Sequence, residues 1–384
     1  MKSVPCRVLL IYQDHNDSQQ MRLTHKRHLN TLEASETEHT ITYYNAADRA
    51  PDRYFQNAPS DPPDVIKQNT FDVVILHNML LGYRTAGPFF YEWKKQLDWI
   101  RDLDCLKIAV PQDEYDCSGI LDEWLFDWNI SVVMTLTLVD LEKLYPIMHD
   151  KAVFYECLPG YIDDSDVASY NNKTSPLCDR EFDLVYRART LAYYFGSQGQ
   201  LKYNLPDRIL PYARKHDLAC DFSTNIEDTK LGYSWFDFLA SSKATFGCEG
   251  GSSAINYRDE IRATEQFMRN ENPDLSFEEF RKIQYADWDS YRFFSVSPRN
   301  FDAALTRTGQ ILIEGKYNGI LEPDRYYIPL KRDFSNLDEA LEKIKDTAYL
   351  QKMVDVTYED IVMSGNYSYR VFAGLIEKAI EENI

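Results

Sequence analysis

Short apolar runs alternate with amphipathic stretches along the first half of the chain. Runs at residues 7–12, 39–44, 71–76, 107–110, 131–136 and 153–158 have the length and composition of strands, and several are apolar on both faces. Helical spacing occurs between them at residues 21–32, 91–103, 121–128 and 138–148, and NAPSDPP at residues 57–63 indicates an exposed loop. This order predicts an α/β fold with a doubly wound, mostly parallel sheet.

A second alternating set follows residues 170–178, a polar, proline-bearing stretch that we interpret as a linker. It contains strands predicted at 182–186, 219–222, 244–248 and 310–313, and helices predicted at 202–215, 235–240, 337–345 and 369–382. Residues 262–269 and 276–283 look like an inserted helical segment. The simplest architecture is two Rossmann-like domains facing a cleft, over residues 1–170 and 179–365.

The amino-acid composition limits the classes of partner that we expect for this protein. No apolar run reaches the roughly 20 residues needed to span a bilayer, so we expect no transmembrane segment, although peripheral membrane contact stays open. The seven cysteines are scattered without a C-x-x-C pair, which favours free thiols in the cytoplasm. A net charge of −19 argues against a nucleic-acid partner, since such proteins need a basic surface.

The stretch SVSPRNFDAALTRTGQILIEG, from residue 295, carries the clearest local signal. Ser297 and Pro298 open a helix in the expected order, and Arg299, Asn300 and Asp302 follow in or next to its first turn. The strand after this helix delivers Glu314 to its carboxyl end. Helix N-termini attract phosphate, and ligands of open α/β sheets lie beyond the carboxyl ends of strands. This segment therefore predicts a nucleotide-diphosphate site.

Three basic residues stand at the first strand–loop–helix junction of the second domain: Arg187, Arg189 and Lys202, with GSQG between them. Guanidinium and ammonium groups at a strand exit are suited to holding a diphosphate, and ordinary surface ion pairing is the competing interpretation. A further strand exit, FGCEGGSS, places Glu249 beside two glycines. Its carboxylate can accept hydrogen bonds from sugar hydroxyls, and a plain tight turn is the alternative.

Three segments together resemble the carboxyl-terminal domain of GT-B glycosyltransferases of the E-x7-E group: YRARTLAYYFGSQGQLKYN, SSKATFGCEGGSS and SPRNFDAALTRTGQILIEG. With the segment that follows, GILEPDRYYIPLKRDFSNLDEALEKI, the combination resembles the bacterial surface-polysaccharide transferases. The resemblance implies that Glu249 addresses the donor sugar or phosphate and Asp302 the ribose, and that residues 366–384 form a helix crossing back to the first domain. Two departures stand out. An inserted segment separates this acidic pair, and Asp302 stands where the family usually has a glutamate. A literal E-x7-E spacing occurs at Glu314 and Glu322, and we interpret it as a coincidence.

Acceptor-side candidates lie at strand exits of the first domain. His77 follows DVVIL, Asp113 and Glu114 follow KIAVPQ, and His15 lies in the first strand–helix loop. An inverting transferase needs a carboxylate or histidine as the base for an acceptor hydroxyl. The alternatives are a satisfied structural histidine and carboxylates that cap helices or form ion pairs.

The sequence thus predicts a cytoplasmic glycosyltransferase that moves a sugar from a nucleotide-diphosphate donor to a glycan or lipid-linked acceptor in surface polysaccharide or glycoconjugate synthesis. Lys316 or Lys331 adds charge at the cleft. The resemblance implies no metal and no cofactor, because side chains and helix dipoles neutralise the diphosphate. A nucleotide-sugar 2-epimerase and a non-catalytic nucleotide-sugar or carbohydrate binder are the alternatives.

Overall fold

The computed structural model describes residues 5–14, 23–34, 37–49, 61–171 and 173–384. Its strands are β1 Arg7–Tyr12, β2 Thr40–Asn45, β3 Val73–Leu76, β4 Leu106–Ala109, β5 Val132–Thr135, β6 Val153–Glu156, β7 Phe182–Arg187, β8 Cys220–Ser223, β9 Ser242–Gly247, β10 Gly250–Ser252, β11 Phe293–Ser295, β12 Gly309–Ile313 and β13 Ile328–Leu330. Its α-helices are α1 Leu23–Leu29, α2 Thr31–Ala34, α3 Asp64–Lys67, α4 Asn78–Leu81, α5 Phe89–Gln96, α6 Ser118–Asp127, α7 Leu141–Leu144, α8 Asp164–Tyr170, α9 Gly196–Lys215, α10 Tyr233–Ala240, α11 Glu260–Glu271, α12 Phe277–Ile283, α13 Pro298–Leu305, α14 Leu337–Lys345, α15 Thr347–Thr357 and α16 Tyr369–Asn383.

Eleven of the thirteen described strands form two parallel sheets with the same winding. The first sheet has the order β2-β1-β3-β4-β5-β6, and the second has the order β13-β12-β9-β7-β8. Val8 pairs with Val73 in the first sheet, and Ile311 pairs with Phe246 in the second. The central strands β3, β4, β5 and β12 are buried along their whole length, as expected of strands covered by helices on both faces. This confirms the predicted α/β class with two Rossmann-like sheets.

Most predicted elements are present, and the differences have local causes. The helix predicted at 138–148 is only the single turn of α7, because Pro146 prevents the helix from continuing. Conversely, α9 begins at Gly196 rather than at Lys202. Asp289 Oδ1 accepts hydrogen bonds from the Ser197 backbone amide at 2.8 Å and stabilises this early start. The loop predicted at 57–63 lies mostly outside the described residues.

An insertion between β9 and α13 joins the two halves of the molecule. It consists of the antiparallel pair β10–β11 with α11 and α12 between them. Ile255 and Phe293 of this insertion are buried in the core beneath the first sheet. The Asn256 backbone amide donates to Tyr115 O at 2.8 Å, and the Gly119 amide donates to Tyr257 O at 2.9 Å.

Glycine is required at one of these contacts. A Cβ at Gly119 would lie 2.5 Å from ring atoms of Tyr257, so a larger residue would push the insertion away from α6. We call residues 250–295 the strap from here on.

The last helix packs against the first sheet. Phe372, Ile376 and Ile380 of α16 are buried in one cluster with Val8 and Leu10 of β1. The chain passes between the halves where Ile162 and Ser368 form an isolated parallel bridge. The boundaries 1–170, 179–365 and 366–384 stay predictions. Among the helices of the described residues, none has the length and apolar character needed to cross a bilayer.

Candidate functional site

A cavity of about 460 Å³ lies between the two halves, at the carboxyl ends of strands from both sheets. The first half contributes residues after β4 and β5 and the helix α1, and the second half contributes residues after β7 and β9 and the start of α13. Open α/β sheets bind ligands at this edge because the helix N-termini and the loops converge there. Of the predicted site residues, those lining the cavity are Asp113, Glu114, Arg187, Arg189, Lys202, Ser297, Arg299, Asn300 and Asp302.

The start of α13 is built as the sequence predicts. Ser297 is the N-cap and Pro298 occupies the first turn. Asn300 Oδ1 accepts a hydrogen bond from the Ser297 amide at 2.9 Å, and Asn300 Nδ2 donates to Gln310 Oε1 at 2.8 Å. The prediction that Asn300 binds the nucleotide-sugar donor is therefore corrected, because its buried carboxamide holds α13 against β12.

Arg187 requires a second correction. Its guanidinium donates to both carboxylate oxygens of Asp221 at 2.8 Å and to the backbone oxygens of Asp221, Tyr186 and Asp228. The group also lies 4.3 Å from the centre of the Phe238 ring. These five hydrogen bonds hold the guanidinium within the protein, so the predicted diphosphate contact is corrected: in this arrangement Arg187 is a structural part of the sheet.

Three other cationic side chains that the sequence predicts at the site also line the cavity. Arg189 is exposed and makes no hydrogen bond or ion pair with the described part of the chain. Lys202 Nζ donates to Gly251 O at 3.2 Å, which leaves two of its N–H groups for a ligand. Burial lowers the pKa of Lys202 from its ordinary value. Arg299 lies 5.1 Å from the centre of the Trp235 ring and donates to Arg187 O.

Asp302 is the predicted acidic residue on the second-half side of the cavity. Trp235 Nε1 donates a hydrogen bond to Asp302 Oδ2 at 2.9 Å. Burial raises the pKa of Asp302 to about 7, although the hydrogen bond from Trp235 and the charges of Arg27 and Arg299 act in the opposite direction. A carboxyl group with this environment can change its charge state near neutral pH.

Glu249 does not line the cavity. Its buried carboxylate accepts hydrogen bonds from the backbone amides of Lys316 at 3.0 Å and Tyr317 at 2.8 Å, and so fixes the loop after β12. The prediction that Glu249 addresses the donor sugar is therefore corrected. Backbone amides of the GSQG segment are likewise hydrogen-bonded within the protein. At the start of α9, the Ser197 amide donates to Asp289 and the Gln198 amide donates to Ser253.

Three further predicted residues lie away from the cavity. Glu314, Lys316 and Lys331 are exposed, and none of them lines it. Glu322 does not line the cavity either, so neither glutamate of the literal E-x7-E spacing is part of this site. The strand β12 delivers Glu314 to its carboxyl end as predicted, but beyond the reach of this cavity.

Two of the acceptor-side candidates are structural. His77 Nε2 lies 2.9 Å from His28 Nδ1, and His77 Nδ1 accepts the Met79 amide at 3.2 Å. Burial and the neighbouring His28 lower the pKa of His77 well below its ordinary value. The buried carboxylate of Glu114 accepts from the hydroxyls of Thr135 and Tyr145, each at 2.6 Å, and from the Leu136 amide at 2.8 Å. Catalytic roles for His77 and Glu114 are therefore corrected.

Asp113 is the acceptor-side candidate whose carboxylate remains accessible to a ligand in the cavity. It is exposed at the cavity wall, and its Oδ1 accepts the Tyr115 hydroxyl at 2.6 Å. Asp113 has a φ of 48°, an uncommon value for a non-glycine residue. Buried Arg84 holds this loop by donating to the backbone oxygens of Gln112, Asp113 and Asp116. His15 lies outside the described residues.

Sequence reasoning missed Trp235, Phe236 and Arg27, which also line the cavity. The two aromatic residues are part of an apolar helix, α10, and resembled ordinary core residues. Arg27 lies on the predicted helix at 21–32, among several polar residues of which none was singled out. No local pattern separates Arg27 from its neighbours, because its partners are far away in the sequence.

One cluster among the described residues has the spacing of a metal site: Asp116, Cys117 and Asp259. Arg262 already forms ion pairs with Asp116 and with Asp259, the latter at 3.1 Å. Asn256 Nδ2 donates to the same two carboxylates at 2.9 and 3.2 Å. The acidic charge is thus compensated by the strap, and the cluster functions as a junction between the strap and the first half.

No protein-family model matches the sequence, and neither does any curated protein. Solved structures do match in fold. An alpha-glucosyltransferase (AGT) in complex with UDP superimposes with a TM-score of 0.53 at 10% identity, covering 98% of this chain and 100% of that chain. An alpha-glucosyltransferase in complex with UDP-glucose and DNA containing an abasic site gives 0.53 at 10% identity, covering 99% and 100%. The two facing sheets and the shared cleft are the GT-B fold of glycosyltransferases.

Proposed function

We propose that this chain is a glycosyltransferase that uses a nucleoside-diphosphate sugar. The observation that carries the proposal is the cavity itself, whose second-half wall combines Arg189, Lys202 and Arg299 with the N-terminus of α13, while Asp113 faces it from the first half. Positive side chains and helix N-termini bind phosphate, and an acceptor hydroxyl needs a group that takes its proton. The alpha-glucosyltransferase structures of the same fold contain UDP and UDP-glucose, which supports this donor class.

In this proposal the diphosphate binds between Arg189, Lys202 and Arg299. Lys202 is partly desolvated and has two unused N–H groups, so an anion beside it restores interactions that burial removes. The ribose hydroxyls bind Asp302, as the family resemblance implies. Arg187 and Asn300 act behind this site by fixing the end of β7 and the start of α13.

The transfer step breaks the bond between the sugar C1 and the phosphate oxygen and forms a bond from C1 to the acceptor oxygen. The electron pair of the broken bond leaves with the nucleoside diphosphate, where the cations stabilise the added charge. The proton of the acceptor hydroxyl passes to Asp113, whose Oδ1 is oriented by Tyr115. None of these steps uses a metal ion, so the proposed reaction is metal-independent.

The proposed acceptor is a glycan or lipid-linked hydroxyl compound, handled in the cytoplasm as part of surface polysaccharide or glycoconjugate synthesis. The DNA in the alpha-glucosyltransferase complex suggests a different acceptor. We favour the glycan because the net charge of −19 opposes binding of a polyanion. Transfer from the same donor to a lipid-linked glycan, compared with transfer to duplex DNA, separates these two acceptors.

The first test is thermal unfolding with the diphosphates of uridine, guanosine, cytidine and deoxythymidine. A nucleotide at 100 times its dissociation constant adds about 2.7 kcal/mol of stability. Lys202→Met should weaken binding at least about tenfold, equivalent to 1.4 kcal/mol. Lys331→Ala is the matched control, because Lys331 is exposed and outside the cavity.

Three results would contradict the proposal. No stabilisation by any of the four diphosphates would remove its basis. Conversion of a bound nucleotide sugar into its 2-epimer without an acceptor would favour the epimerase instead. Binding without transfer, hydrolysis or epimerisation would favour the non-catalytic binder.

A further inference from the structure

Ser295 is the last residue of the strap and of β11, and it lines the cavity. The residue is 7% exposed, yet its hydroxyl makes no hydrogen bond to any group in the part of the chain that the structure describes. The hydroxyl oxygen is nevertheless accessible to solvent. A serine hydroxyl carries one donor and two acceptor lone pairs, and nearly buried hydroxyls normally have a partner. Ser295 therefore offers an unused hydrogen-bond donor to a ligand in the cavity.

A niche lies beside Ser295 because its partner residue in β10, Gly250, has no side chain. A Cβ on Gly250 would lie 3.9 Å from Ser295 Oγ and 3.9 Å from the Cα of Ser297, the N-cap of α13, and these three residues define the niche. Lys202 reaches the same edge of β10, where its Nζ donates to Gly251 O at 3.2 Å. A hydroxyl, an ammonium group and a helix N-terminus thus meet here, and all three favour an anion.

The strand β11 connects this niche to the proposed base. Phe293, two residues before Ser295, stacks on Tyr115 with 6.4 Å between the ring centres and 18° between the ring planes. The Tyr115 hydroxyl in turn donates to Asp113 Oδ1 at 2.6 Å. Two residues of a strand span about 6.6 Å, so Ser295 comes between the Phe293–Tyr115 contact and the start of α13. A diphosphate held at α13 has its sugar-bearing phosphate on this side, because the acceptor hydroxyl that attacks the sugar is activated there.

We propose that Ser295 is a ligand of the sugar-bearing phosphate of the donor, to which its hydroxyl donates a hydrogen bond from the niche. This inference rests on the proposed function, and it gives the strap a direct part in substrate binding. A hydrogen bond to a charged acceptor is about twice as strong as one between neutral groups. The bond should strengthen as the sugar leaves, because the negative charge on that phosphate then increases.

The first measurement is the affinity for UDP, or for whichever of the four diphosphates binds best, by calorimetric titration. Ser295→Ala should weaken binding about tenfold, and Ser295→Thr, which keeps the hydroxyl, should recover most of the affinity. The melting temperature of ligand-free Ser295→Ala should be unchanged, because the hydroxyl has no partner in the described chain. Ser290→Ala is the matched control, since Ser290 is an exposed strap residue that does not line the cavity.

The second measurement locates the contact on the ligand. The α- and β-phosphorus atoms of a bound diphosphate give separate ³¹P NMR signals, and Ser295→Ala should shift the β signal by more than the α signal. Gly250→Ala tests the niche through a different residue. The nearest atom to the added methyl group would be Ser295 O at 3.4 Å, an ordinary contact, so this variant should fold. The methyl group would occupy the niche and should weaken diphosphate binding.

Each other outcome is decisive. Unchanged diphosphate affinity in Ser295→Ala or Gly250→Ala overturns the inference, and so does a larger shift of the α signal. A lower melting temperature of ligand-free Ser295→Ala, or an equal loss of affinity in Ser290→Ala, overturns it as well, because the effect would then be structural. The proposed function stands in these cases if Lys202→Met weakens binding. If none of the four diphosphates binds the unaltered protein, the proposed function and the inference fail together.

Discussion

Both carboxylate oxygens of Asp221 accept hydrogen bonds from Arg187 Nη2 at 2.8 Å. This pair joins the neighbouring strands β7 and β8, in which Arg187 is opposite Ser223 and Asp221 is opposite Val185. The arginine that looks like a phosphate ligand in the sequence is thus part of the sheet. The neighbouring Arg189 is the side chain that remains available to a ligand.

Replacement of Arg187 should therefore affect stability. Arg187→Ala removes five hydrogen bonds and leaves Asp221 without its partner, and we expect the free energy of unfolding to fall by about 3 kcal/mol. Arg189→Ala is the matched variant two residues further on; it should change stability by less than about 0.5 kcal/mol and should weaken diphosphate binding. Chemical denaturation and calorimetric titration measure both. Full stability with lost nucleotide binding in Arg187→Ala would restore Arg187 as the ligand.

Glu249 should behave as a structural residue. Glu249→Ala removes the acceptor of two backbone amides and should cost about 2 kcal/mol of unfolding free energy. Glu249→Gln keeps a side-chain oxygen at this position and should recover most of that loss. We expect Glu249→Gln to bind diphosphate as the unaltered protein does, measured by calorimetry. Loss of binding in a fully stable Glu249→Gln protein would contradict this assignment.

The raised pKa of Asp302 predicts the direction of one contribution to pH-dependent stability. Its folded-state pKa of about 7 is higher than the model-peptide value of about 3.9, so between these two pH values the native state binds more protons than the unfolded state. Stability from this group is therefore fully present below about pH 4 and is lost as pH rises through about 7.

Asp302→Asn should remove that contribution. The variant should gain melting temperature over the unaltered protein at pH 8, gain less at pH 5.5, and bind diphosphate more weakly. Asp113→Asn, a change to an exposed carboxylate in the same cavity, is the control and should show no such pH-dependent gain. Equal gains at the two pH values for Asp302→Asn would show that Asp302 is not the titrating group.

Two ion pairs that attach the strap to the first half should differ in strength. Arg262 binds Asp116 where the two side chains are 16% and 9% exposed, and Arg258 binds Glu123 where they are 50% and 43% exposed. Arg262→Ala leaves a mostly buried carboxylate uncompensated and should cost about 3 kcal/mol. Arg258→Ala should cost less than about 1 kcal/mol, because solvent weakens an exposed pair. Urea unfolding of both variants measures the two losses of unfolding free energy. Equal losses would show that burial does not make the Arg262–Asp116 pair the stronger one.

The sequence by itself determined most of the secondary structure and the class of fold. Continuous apolar runs such as 71–76 predict buried parallel strands, because both faces of such strands are covered, and Ser297–Pro298 marks the start of α13 because capping and a fixed φ are local properties. The location of the site at strand exits also follows from the order of strands and helices.

Only the tertiary structure decided which polar side chains face the cavity. Arg187 and Arg189 are two residues apart at the same strand exit, but Asp221 on the neighbouring strand binds one and leaves the other exposed. Glu249 is held away from the cavity by backbone amides that lie nearly 70 residues later, and Arg27 of the first half lines the same cavity as Asp302 of the second half. Hydrogen bonds and charge interactions of this kind act over distances in space, so the separation along the chain gives no sign of them.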